Sequence, residues 1–136
     1  MRPPGQDDPR DHGAAPLASL GAFLAAIGVV AGAFGAHALR GRIEPQSLQA
    51  FETGVRYQLI HALAVVVAAL VHERRPRGVF TVAAWLFAAG IVLFSGSLYG
   101  LSLGGTRVLG AVTPFGGLCF IAGWLAFAGG AWPSRP

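Results

Sequence analysis

LASLGAFLAAIGVVAGAFGAHAL, residues 17–39, holds 23 consecutive positions without a charged side chain. As a helix at about 1.5 Å per residue it extends roughly 35 Å, enough to cross a hydrocarbon core of about 30 Å. Pro16 suits the first turn of such a helix, where a missing N–H is harmless. Ala36, His37 and Ala38 have the small-x-small form of a signal-peptide cleavage site. Two features oppose that reading. The apolar stretch exceeds the roughly 7–15 residues of a signal core, and the preceding tail carries three Asp against two Arg. A retained span is expected.

Three more spans follow outward from it. After a polar turn at residues 40–44, Pro45 opens a segment that is amphipathic over QSLQAFETGVRYQ (46–58) and wholly apolar over ALAVVVAALV (62–71). HERRPRG (72–78) interrupts with charge and Pro76, and Gly104-Gly105 provides the next turn. The reading is an all-α membrane four-helix bundle with spans at about 17–39, 46–72, 79–103 and 107–131, and with Pro114 as a kink inside the last. Residues 1–16, rich in Pro, Asp and Gly, are expected to form a disordered N-terminal tail, and 132–136 a short C-terminal one.

Composition agrees. Of the 136 residues, 54% are hydrophobic and 12% charged, against roughly a quarter charged in a soluble domain. The formal charge is +4, carried by Arg with no Lys, and the pI is near 10.6. The Arg residues sit in short clusters beside apolar runs, which marks them as topology determinants and excludes a nucleic-acid partner. With four spans, both termini and the 72–78 loop share one face, holding Arg2, Arg10, Arg74, Arg75, Arg77 and Arg135. The other face holds Arg40, Arg42, Arg56 and Arg107. Six against four points to cytoplasmic termini in a cell inner (plasma) membrane.

Small residues are striped. Gly21, Ala25, Gly28, Gly32 and Ala36 line one side of the first span. Gly96, Gly100 and Gly104 recur in the third, and Gly116, Gly123 and Gly130 in the fourth. Such stripes let helix backbones approach closely, within one bundle or between copies in a homo-oligomer or with a membrane-complex partner.

The polar side chains collect at one end: His37, Glu52, Arg56, Tyr57, Gln58, His61, Ser95, Ser97, Tyr99 and Thr113. Counting about 20 residues back from Val71 puts Arg56 at or just under the interface. A centrally placed Arg costs about 2.5–3.5 kcal/mol on insertion scales. Two accounts of Arg56 follow: an interfacial i,i+4 pair with Glu52, or an inward guanidinium holding an anionic group or a helix end. His61, four residues after Tyr57, is a candidate by virtue of its depth, although a histidine bonded to a backbone carbonyl or Ser on a neighbouring helix is the commoner arrangement. The candidate polar pocket is therefore His37, Glu52, Arg56, Tyr57, His61, Ser97 and Thr113.

No cofactor or metal is expected. His61 lies nine residues deeper than the level of His37, about 13 Å, too far for two axial ligands on one haem. His12 and His72 read as solvated, and the lone Cys119 builds no metal site. There is no nucleophile–base signature, HExxH or P-loop, so no enzyme activity is expected.

GAFGAHAL (32–39), FETGVRYQLIHALA (51–64), LFSGSLY (93–99) and LGAVTPFGGLCFIAGW (109–124) together resemble the YgdD-like family of small inner-membrane proteins, the domain of unknown function four-two-three, which has small mitochondrial relatives. The resemblance covers about residues 17–131 and implies a four-helix membrane protein with no assigned reaction, ligand or cofactor. It marks His37, Glu52, Arg56, Tyr57, His61, Ser97, Thr113 and Pro114 as motif positions without a role, and the Pro/Asp-rich tail as the one departure. Function then divides between an accessory or structural membrane protein, such as a small subunit of a complex, and a lipid or small-molecule binding or transport protein that uses the pocket near Arg56 and His61.

Overall fold

A computed structural model describes residues 14–133, so most of the tails expected over 1–16 and 132–136 lies outside the described residues. The described chain is helical apart from its short connecting turns. Helix α1, Ala14–Phe34, runs on as a π-helical turn over Gly35–Leu39; α2 is Pro45–Arg74. Helix α3, Gly78–Ser102, carries a second π-helical turn at Ile91–Ser95, and α4 is Val108–Ala131. All four are long and apolar enough to cross a membrane, which makes this an all-α protein of four spanning helices.

Local chemistry sets where the helices stop. Pro45 occupies the first turn of α2, where no N–H partner is needed. Gly41 and Gly104 are the described residues with positive φ, 78° and 90°. At the end of α3 the Gly105 N–H returns to the Gly100 carbonyl at 2.8 Å and the Gly104 N–H to Leu101 at 3.4 Å. This double closure, which needs a left-handed residue at Gly104, satisfies carbonyls that the helix end leaves open. The 72–78 loop is stapled too. Arg77 donates from Nη1 to the Gly130 carbonyl of α4 at 2.9 Å, and His72 donates from Nδ1 to the Arg77 carbonyl at 3.0 Å. His72, expected to be solvated, is thus a half-buried part of that turn.

Helices α2 and α3 form the centre and bury about half of their apolar spans, whereas α1 and α4 flank them and bury under a fifth. Ala62, Val65, Ala68 and Ala69 of α2 meet Ala83, Ala84 and Phe87 of α3 in a core that excludes solvent. The small-residue stripes explain the flanks. A Cβ on Gly21 would lie 2.9 Å from the Ala62 carbonyl, and one on Gly28 would lie 2.8 Å from Leu59, so α1 lies close along α2. Gly116, Gly123 and Gly130, seven apart, seat α4 on Phe94, Phe87 and Phe80 of α3. At this range dispersion and backbone proximity replace the hydrophobic effect as the cohesive force. Because α4 is seated along α3, it faces α2 across a gap bridged by aromatic side chains.

Candidate functional site

The N-terminal half of α2 carries two kinds of polar side chain, and the packing separates them. Gln58, 3% exposed, is an interhelix link. Its Nε2 donates to the Leu24 carbonyl of α1 at 2.8 Å, and its Oε1 accepts from the Tyr99 hydroxyl of α3 at 2.7 Å. One amide therefore ties three helices. Ser95, in the π-helical turn of α3, donates to the Gly54 carbonyl of α2 at 2.7 Å. Ser97 of α3 and Thr113 of α4 share a hydroxyl–hydroxyl bond of 2.6 Å. Among the described residues every buried side-chain polar atom has a partner, as expected where water is excluded.

His61 is the deepest of these groups, thirteen residues before Arg74 and so about 20 Å along the helix axis from that end. Its Nδ1 lies 2.7 Å from the Tyr57 carbonyl, and its Nε2 lies 3.1 Å from Nε1 of Trp124 on α4. An indole N–H only donates, and a carbonyl only accepts. Nδ1 therefore carries the proton, and the Nε2 lone pair is occupied by Trp124. The Phe120 ring stacks on the imidazole with centroids 3.5 Å apart and planes 9° from parallel. His61 is thus a bonded histidine, but its partners are its own helix's Tyr57 carbonyl and the Trp124 indole, not the carbonyl or hydroxyl of a neighbouring helix that the sequence suggested. As placed, it has no free lone pair for a metal ion.

Beside this anchor runs a groove of about 520 Å³, between α2 and α4 with α3 as its floor. Arg56, Tyr57 and His61 line one wall, Phe94 the floor, and Gly117 and Trp124 the other wall. Helices α2 and α4 run parallel, so the groove follows the membrane normal with Arg56 toward the end of the 40–44 turn. Gly117 widens it, since a Cβ there would have Phe94 Cδ2 as its nearest neighbour, at 3.9 Å. The volume falls inside the range of about 300–1,000 Å³ usual for ligand clefts.

The candidate residues thus divide. Arg56, Tyr57 and His61 share the groove. Ser97 and Thr113 are brought together, but with each other, as a clasp between α3 and α4. His37 is exposed in the π-helical turn, away from the groove. Glu52 is exposed and meets Arg40 at 3.7 Å instead of the expected Arg56; the end of α1 brings Arg40 to it. So long and open a pair is worth about 0–1 kcal/mol. Arg56 is exposed toward the groove and has no ion pair or hydrogen bond among the described residues. Sequence reasoning did not select Trp124, Phe120 and Gly117. A Trp deep in an apolar span was the available signal, because a buried indole N–H usually finds a partner.

A family model described as "Protein of unknown function (DUF423)" matches residues 31–117, a stretch holding α2, α3 and the Gly117 end of the groove. UPF0382 membrane protein YwdK of Bacillus subtilis is 51% identical over 107 residues, covering 78% of this chain and 87% of that one. A UPF0382 membrane protein of Staphylococcus epidermidis is 44% identical over 106 residues, covering 78% and 86%. Another, from Haemophilus influenzae, is 39% identical over 108 residues, covering 79% and 86%. No solved structure matches the chain.

Proposed function

We propose, from the premise that the chain belongs to the DUF423 family and is a multi-pass membrane protein, that it binds a small molecule or lipid dissolved in the bilayer, in the groove between α2 and α4. The observation that carries this reading is the groove itself, about 520 Å³ of apolar, aromatic-walled space with, at one end, an Arg that has no partner among the described residues. Aromatic walls favour a flat or flexible apolar body, and the occupied lone pair of His61 argues against metal or proton chemistry there. Binding on this reading is not coupled to a reaction. The Arg distribution supports residence in the cell inner (plasma) membrane with both termini cytoplasmic.

Native mass spectrometry of the mildly extracted full chain tests it. The wild type is expected to carry a bound molecule that Gly117→Leu, which fills the groove, excludes. A bare protein in both cases overturns the reading.

A second reading, an accessory subunit of a membrane complex, is favoured by the outward seam of α3. Val82, Trp85, Ala89, Val92 and Gly96 are exposed along it, and Gly96 has open space around its Cα where a partner helix could approach. Co-purification of a stoichiometric partner that Gly96→Leu releases would favour this reading over the first.

A further inference from the structure

We propose that the groove is built for an amphiphile with a single anionic head, a carboxylate or a phosphate, held by the Arg56 guanidinium and the Tyr57 hydroxyl while its chain lies over Phe94 and Phe120. This rests on the reading of the groove as a binding site and names the chemistry of its ligand.

Charge is the first argument. Arg56 lies eighteen residues before Arg74, about 27 Å along the helix axis, so with Arg74 at one membrane surface Arg56 falls inside a core of about 30 Å. An Arg just under the interface reaches back to water and headgroups or pairs with an anion at that level. The nearest acid in sequence, Glu52, is turned to Arg40 at 3.7 Å, and Arg56 has no partner among the described residues. An anion supplied by the bilayer completes the pair. The planar guanidinium suits a two-oxygen head, carboxylate or phosphate alike.

The polarity gradient of the groove is the second argument. Next to Arg56 in the chain, Tyr57 also lines the groove; its hydroxyl has no hydrogen bond among the described residues, and its ring packs on Phe94 with centroids 4.6 Å apart. At the far end, the two polar groups, His61 Nε2 and the Trp124 N–H, are committed to each other at 3.1 Å. Between the ends lie Ile60, Phe120 and Ile121. A ligand polar at both ends would leave one end unpaired, and a polyanion would find one cation where it needs several. A single-headed amphiphile with an apolar tail matches both ends.

The test uses the full chain in mild detergent with paired probes of matched tail: oleate against oleyl alcohol, and phosphatidate against diacylglycerol of identical acyl chains. Wild-type protein is expected to bind at least one anionic member about tenfold more tightly than its partner of no net charge, the scale of one charge-assisted hydrogen bond. Preference within the first pair identifies a carboxylate head, and preference within the second a phosphate. Arg56→Gln should abolish the preference and keep the uncharged probe. Arg56→Lys, which keeps charge but not the fork, should retain part of it. Gly117→Leu should exclude all probes. Equal binding of the members of both pairs by wild type, with loss in Gly117→Leu, overturns the anionic head and leaves the groove standing. Binding that is indifferent to Gly117→Leu overturns both.

Discussion

Trp124 of α4 donates its indole N–H to Nε2 of His61 on α2 across 3.1 Å, joining two helices whose backbones are otherwise held apart by a groove. Trp124→Phe keeps a ring of similar shape and deletes the donor. A buried acceptor left without a partner costs about 1–3 kcal/mol, so a lower unfolding temperature in detergent is expected. The same loss is expected from His61→Phe. The pair itself, isolated by a double-mutant cycle, should couple by about 0.6–1.7 kcal/mol, the range of hydrogen bonds between transmembrane helices. Additive losses would show that the bond contributes nothing to stability.

Gln58→Leu removes two interhelix bonds at once, to Leu24 and from Tyr99, and strands the Tyr99 hydroxyl. Its expected loss is about 1–2 kcal/mol on the same scale. Ser102→Ala is the matched control, since Ser102 donates to the Leu98 carbonyl of its own helix at 2.6 Å and ties nothing together. The control should fall within about 0.5 kcal/mol of wild type. Equal effects would mean that Gln58 does not act as a link between helices.

These two links show where sequence reasoning reaches and where it stops. The spans were legible because a charge-free run of more than twenty residues has few uses other than crossing a bilayer. The crowding of polar groups at one end was legible as well, since an even number of spans places the 40–44 and 104–106 turns together. Partnership was not. Periodicity offered Glu52 to Arg56, one turn apart, yet the end of α1 brings Arg40 to Glu52 instead. It set His61 beside Tyr57, and the Tyr57 carbonyl does accept from it, but Trp124 lies 63 positions away and arrives only because α4 is seated on α3. The groove has the same origin. It exists because glycines on α4 match bulky side chains on α3, and which helix neighbours which is not written in any one helix's period.

That seating makes its own prediction. A Cβ at Gly123 would come within 2.7 Å of the Phe87 ring, and one at Gly116 would run into the Phe94 backbone. Gly123→Ala and Gly116→Ala are therefore expected to destabilise by about 1–3 kcal/mol, the usual cost of overpacking. Gly116 should suffer more, because backbone yields less readily than a ring. Gly129→Ala and Gly96→Ala meet open space and should be neutral or slightly stabilising. Similar losses at all four positions would mean that α4 does not use this face against α3.

The last prediction concerns sidedness, which the helices and the Arg distribution address separately. Four crossings put residues 40–44 and 104–106 on one face and 74–77 on the other, whatever the orientation in the cell. On the orientation proposed above the 74–77 face is cytoplasmic, because three Arg in one short loop weigh most under the positive-inside rule. Cysteine labelling with a membrane-impermeant maleimide checks both in a Cys119→Ala background. In right-side-out vesicles, Arg42→Cys and Thr106→Cys should label without permeabilisation, and Pro76→Cys only after it. Opposite behaviour of the first two would break the four-span topology. The mirror result, Pro76→Cys labelling first, would keep the topology and reverse the orientation. The groove would then open its Arg56 end toward the cytoplasm, and an anionic amphiphile would have to be drawn from the inner leaflet.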